Sequence, residues 1–231
     1  MAINARAGAR KTAPSKRRSA QSQAVPLSDL FGSVVGTLEN QRGYLNDLDR
    51  VGGNGDHGDN VVDNFKLITD SLRRDHELEA REQLRRAAST LQQNGRGATA
   101  NLYAEGLREA AQRLPPGSAG VDLQTLLPLL QGLLTGVSAN TQAQPGQGTL
   151  LDSLLPGIQG YLNARGAGQS NTQAIMSALS AAMLGSRHVY QQPAMFGRSR
   201  QQANQPWLDP GAASAVSVLE GIFRKASEMQ D

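Results

Sequence analysis

Tyr44–Asn60 reads YLNDLDRVGGNGDHGDN, and its reading decides the fold. Before it, Leu27, Leu30, Phe31, Val34, Val35, Leu38, Leu45 and Leu48 recur at three- and four-residue spacing, the pattern of a helix with one apolar face. After it, Val61, Val62, Phe65, Ile68 and Leu72 keep the same period. The stretch is thus a turn between two helices. It carries Asp47, Asp49, Asp56 and Asp59 among glycines and asparagines, with His57, one of three histidines in the chain. Glycine lets the backbone fold such side chains back onto one point. Mg²⁺ takes oxygen ligands, usually one or two carboxylates completed by water and substrate phosphates. An acidic helix–helix turn without a ligand is the competing reading.

Outward from the turn, the remaining periodic segments are also helical. Ser28 is placed to cap the first helix. Leu78, Leu84, Ala88 and Leu91 mark a third helix, broken at Asn94–Gly97, and Ala98–Leu114 a fourth, stopped by Pro115-Pro116-Gly117. Leu123–Val137, Thr149–Ala164 and Thr172–Leu184 read as the fifth to seventh, with Pro128 and Pro156 inside two of them. Tyr190–Leu208 lacks periodicity and reads as a long loop. Asp209 as N-cap and Pro210 at the first helical position open an eighth helix reaching Met229. No window alternates as a strand does. The expectation is an all-α, eight-helix antiparallel up-and-down barrel or bundle. In that order alternate loops share one end. The acidic turn, the Gly95–Ala98 break, the Ala143–Gly148 loop and the Tyr190–Leu208 loop therefore converge.

At 231 residues the chain suits one domain and a tail. Residues 1–26 form the tail and 27–231 the helical domain. Arg6, Arg10, Lys11, Lys16, Arg17 and Arg18 stand in the tail and no acid precedes Asp29, so the net charge of +3 belongs to the tail and the rest is acidic. A segment so poor in apolar residues is expected to be disordered. Residues 1–18 suit weak, non-specific attraction to nucleic acid or an anionic surface; a solvated tail is the plainer alternative. With no cysteine, disulfides and thiolate metal sites are excluded. No apolar run reaches the length of a membrane span. The expected location is cytoplasmic, with an organelle transit peptide as the alternative in a eukaryote.

The turn resembles the signature of the dihydroxyacetone kinase L-subunit family, its nucleotide-binding domain, roughly YL..LD....GD.DHG.NM. Asp49, Asp56, His57, Gly58 and Asn60 fall on matching positions. GRGATANLY (Gly95–Tyr103), AQPGQGTLLDSLLP (Ala143–Pro156) and LDPGAASAVSVLEGI (Leu208–Ile222) are similar to three further family segments in the same order. The resemblance spans about residues 27–231. It implies a helical barrel that clasps ADP or ATP with Mg²⁺ between loops at one end. It further implies a phosphotransferase acting on a small keto-triose, held by a separate K-type substrate-binding subunit. A homo-oligomer is a further expectation.

Residue by residue, the resemblance puts metal ligands at Asp49, Asn54 and Asp56, and nucleotide contacts at His57, Asn60, Gly97, Thr99, Gly146, Thr149, Leu150 and Asp209. His57 and Asn60 would act as donors at a helix start; for Asn60, loop capping stands as an even alternative. Thr99 reads equally as an N-cap, and Thr149 as part of a helix start. Departures are visible as well. Asn54 replaces a family aspartate and removes a charge. Arg96 replaces a glycine and could pair with a phosphate or fill the pocket. Gln147 and Gly148 replace an Asp-Lys pair. Ala203 stands where the family has an arginine that stabilises the transferring phosphoryl group, leaving Arg198 and Arg200 as the nearby candidates. A homologue that binds without turnover, or a structural helical module, are the alternatives to a kinase.

Overall fold

The computed structural model describes residues 24–50, 52–139, 150–170, 173–174, 177–178, 181 and 210–228. Its helices are α1 (Leu27–Asp49), α2 (His57–Arg74), α3 (Ala80–Asn94), α4 (Thr99–Arg113), α5 (Leu123–Ala139), α6 (Leu150–Gly166) and α7 (Pro210–Ser227). Among the described residues there is no strand, only an isolated antiparallel bridge between Val25 and Val121. Seven helices are described where eight were expected. Thr172–Leu184, expected to be one helix, is described only at 173, 174, 177, 178 and 181, all helical. Ala178 and Ala181 there lie against Gly160 of α6.

Sequential neighbours pack from α1 to α6, and α7 packs on α1. Tyr161 of α6 stacks on Phe223 of α7 with ring centroids 4.8 Å apart, linking these two helices. The apolar stripes point inward. Phe31 stacks on Phe65 at 6.1 Å, and Phe65 meets Tyr103 edge-on at 4.9 Å, joining α1, α2 and α4 through one aromatic row.

Loop contacts fix the two ends. At one end Glu79, before α3, accepts the Gly117 amide at 2.7 Å, and the Ala80 amide donates to the Ser118 carbonyl at 2.7 Å. Val25, before α1, bridges Val121 at this same end. The acidic turn, the break before α4 and the start of α7 lie together at the other. That arrangement is the antiparallel up-and-down order expected from the short connections.

Two helix starts differ from expectation. Pro26, not Ser28, occupies the N-cap of α1, and the Ser28 hydroxyl instead lies inside the helix, 3.4 Å from Asp29 Oδ1. A side-chain cap appears where none was expected. Asp122 Oδ1 accepts the Gln124 and Thr125 amides at 3.0 and 2.9 Å at the start of α5. Burial raises the Asp122 pKa, but these bonds and the Thr125 hydroxyl outweigh it, and the net shift is downward. Among the described residues no helix is long and apolar enough to cross a membrane. Residues 1–23 of the tail, which carry its basic side chains, lie outside the described residues, whereas Val25 and Pro26, expected to belong to the disordered tail, pair with Val121 and cap α1, respectively.

Candidate functional site

The acidic turn is organised by its own first aspartate. Asp49 ends α1, and its carbonyl accepts the Gly52 and Gly53 amides at 3.1 and 2.6 Å. Its side-chain Oδ2 accepts the Gly55 and Asp56 amides at 2.8 and 3.1 Å. Asp56 then occupies the N-cap position of α2 without a side-chain cap bond, and Asn54 is exposed between the two acids. Among the described residues, no group of three His, Asp or Glu side chains forms a cation site. The donors at hand are therefore two carboxylates, one of them engaged by backbone amides, and one neutral amide. This set fits a single Mg²⁺ that takes its remaining ligands from water and phosphate. It does not fit a protein cage for two ions.

Asp59 is drawn away from the turn. It pairs with Arg42, and its Oδ2 accepts the Asn46 side-chain amide at 3.1 Å, bracing α2 against α1. The helices are close there, because a Cβ at Gly58 would fall on the Arg42 carbonyl oxygen.

The second segment docks on α2. Gly97 has φ of 69°, a left-handed conformation suited to glycine, and its Cα faces Asn60: an added Cβ would sit 3.2 Å from Asn60 Nδ2. The N-cap residue of α4 is Ala98, and Thr99 is the first helical residue, largely buried, so Thr99 is not the cap. Arg96 turns outward to Asp63, Nη1 to Oδ2 3.3 Å. Its side chain is thus engaged with α2 through the half-exposed Asp63.

The fourth segment, Leu208–Ile222, arrives with α7. Pro210 is the first residue of that helix, as expected. Ser214, one turn on, is fully buried, and its Oγ lies 3.1 Å from His57 Nε2 and 3.4 Å from Tyr103 Oη. Burial lowers the His57 pKa, against the opposing pull of Asp49, Asp56 and the Pro210 carbonyl. Burial pushes the Tyr103 phenol up to about 12, opposed by its bond to Ser214.

The structure therefore brings Asp49, Asn54, Asp56, His57, Asn60, Gly97 and Thr99 to one end of the barrel, where α2, α4 and α7 begin. Helix starts present unbonded backbone N–H groups that favour anions. Gly146, Thr149, Arg198, Arg200, Ala203 and Asp209 lie outside the described residues, as does the side chain of Leu150, the first residue of α6. Sequence reading did not single out Ser214, Tyr103 or Asn64. A signal existed for Asn64: it is a polar residue on the face of Val61, Phe65 and Ile68 and is fully buried. Ser214 and Tyr103 lie within motif segments but look there like ordinary helix positions.

Comparison with known proteins gives the following. The DAK2 domain description matches residues 51–224. Triokinase/FMN cyclase of Mus musculus is 29% identical over 205 residues, covering 87% of this chain and 34% of the relative. The chain thus spans about a third of that relative's length. The ADP-binding subunit DhaL of the PEP-dependent dihydroxyacetone kinase of Escherichia coli is 25% identical over 187 residues, covering 80% of this chain and 89% of the relative. The ADP-binding subunit DhaL of the PEP-dependent dihydroxyacetone kinase 2 of Listeria innocua is 26% identical over 215 residues, covering 87% of this chain and 96% of the relative. The crystal structure of the dihydroxyacetone kinase of C. freundii, native form, superposes with a TM-score of 0.59 at 18% identity, over 97% of this chain and 38% of that one. At that identity the likeness is one of fold.

Proposed function

From the premise that the chain belongs to the DAK2 domain family, we propose that it binds ADP or ATP with Mg²⁺ at the barrel end where α2, α4 and α7 begin. The observation that carries this reading is the convergence of three separate segments there: His57 against Ser214, and Gly97 against Asn60. The Gly97 approach leaves small residues beside the helix starts, which suits close packing of phosphate oxygens. Asn60 and the first amides of α2 and α4 supply donors. Asp49 and Asp56 would hold the ion jointly with the phosphates, and Asn54 would add a neutral oxygen. The ion supplies charge neutralisation between nucleotide and acidic turn. Gly146, Thr149, Leu150 and Asp209 complete the proposed nucleotide contacts.

The reaction we propose is phosphoryl transfer to a small keto-triose carried by a separate substrate-binding subunit, with Arg198 or Arg200 neutralising the transferring group. A second reading, binding without turnover, is favoured by one observation. Arg96 is engaged with Asp63, and so adds no positive charge among the phosphate donors in place of the arginine that Ala203 lacks. Thermal unfolding of the full chain tests the binding they share. Mg²⁺ with ADP should raise the melting temperature, and ADP with a chelator should not. Phosphoryl transfer in the presence of a keto-triose-binding subunit then separates the two.

A further inference from the structure

Asn64 grips a single residue of the break between α3 and α4. It stands on α2, one turn after Asn60, and its side chain is fully buried. A buried amide needs hydrogen-bond partners, and Arg96 supplies them. Asn64 Nδ2 donates to the Arg96 carbonyl and Oδ1 accepts the Arg96 amide, each at 2.8 Å. The two peptide planes that flank Arg96 are thereby oriented. The second of them carries the Gly97 N–H. It is trans, and in a trans peptide the N–H points opposite to the carbonyl. The Arg96 carbonyl points to the buried Asn64, so the Gly97 N–H points away from it, where Gly97 is exposed. The Asn60 side-chain amide lies beside Gly97 on the same end of the barrel.

We infer that Asn64 is a positioning residue for the nucleotide site: through the Arg96 peptide it holds the Gly97 N–H outward as a phosphate donor next to Asn60. The donor is preset, so a phosphate meets it without ordering the break first. Asp63 has no part in this, because its ion pair holds only the exposed side chain of Arg96. The donor role rests on the nucleotide reading above. The clamp does not, because it is a property of the chain itself.

Gln83 supplies the control. It is another buried side-chain amide that serves a connection: its Nε2 donates to the Leu78 carbonyl at 2.6 Å, between α2 and α3 at the far end of the barrel.

The test is amide-resolved NMR of the full chain joined to calorimetric titration with ADP and Mg²⁺. In wild type the Arg96 amide should exchange slowly with solvent, although it lies between helices. The Gly97 amide should exchange fast in the free chain, and should slow and shift on saturation with Mg²⁺ and ADP. Asn64→Leu keeps the size of the side chain and removes both bonds. A break that holds the binding arrangement roughly a tenth of the time lowers affinity about tenfold, in proportion to that fraction, and this is the loss expected of Asn64→Leu. Gln83→Met should lose stability and keep wild-type affinity. Free exchange of the Arg96 amide in folded wild type overturns the clamp, and a Gly97 amide unmoved by bound nucleotide overturns its donor role. Neither result requires a variant to fold. Wild-type affinity in Asn64→Leu, or an equal loss in Gln83→Met, overturns the positioning role. A slow Arg96 amide in a chain that binds no nucleotide overturns instead the nucleotide reading, and the donor role with it.

Discussion

Asn64 and Arg96 exchange two hydrogen bonds: Asn64 Nδ2 donates to the Arg96 carbonyl and the Arg96 amide donates to Asn64 Oδ1, each at 2.8 Å. One buried side-chain amide thereby takes the place of a backbone neighbour for the break between α3 and α4. It lies one helical turn beyond Asn60, so the same clamp that satisfies the loop also sets Gly97 against Asn60. Asn64→Ala should cost on the order of 2 kcal/mol, because both hydrogen bonds of a fully buried side-chain amide are lost. Denaturant unfolding checks the cost. The Mg²⁺-ADP-induced rise in melting temperature should shrink beyond what the lost stability explains.

Asp56 and Asp63 make a second comparison. Asp56→Ala should abolish the nucleotide-induced rise. Asp63→Ala should keep it, at a cost of about 1 kcal/mol or less, since its pairing with Arg96 is exposed at the surface. Equal loss of the ligand response in both variants would make the acidic turn a structural feature only.

Asn54→Asp restores a carboxylate beside Asp49 and Asp56. Added repulsion should lower the melting temperature of the ligand-free chain, and tighter ion binding should enlarge the rise produced by Mg²⁺ and ADP. Both melting temperatures are read in one experiment. Lower stability with no ligand response would count against an ion at this turn.

Tyr103 governs an alkaline window. Its folded pKa of about 12 lies above the ordinary 10.0, so the folded state retains the phenol proton longer than the unfolded state. The corresponding stability is present below pH 10 and falls as pH rises from there toward about 12. It amounts to on the order of 2–3 kcal/mol. Tyr103→Phe cannot ionise, and its stability should fall less steeply over that window. Parallel pH profiles for the two proteins would contradict burial as the cause.

Much of the fold was legible because its determinants are local. The apolar spacing from Leu27 to Leu48 and from Val61 to Leu72 specifies two helices and the turn between them. Pro115-Pro116-Gly117 marks the end of α4, which falls at Arg113. Parity of the connections was enough to place the acidic turn and the Gly95–Ala98 break at one end. What stayed hidden was long-range pairing. Nothing around Ser214 announces that its hydroxyl meets His57, 157 residues earlier. Nor does the run of acids reveal that Asp59 belongs to Arg42 and Asn46, or that Asp49 is bound by the amides of its own turn. Local charge alone made those acids look equivalent; backbone geometry separates them.

Calorimetric titration of the full chain with ADP, with Mg²⁺ and with a chelator in its place, tests the central claim most directly. The account predicts a saturable one-to-one signal with Mg²⁺ that disappears with the chelator and in Asp56→Ala. The absence of any binding signal at millimolar ADP and Mg²⁺, from a chain shown to be folded, would contradict it.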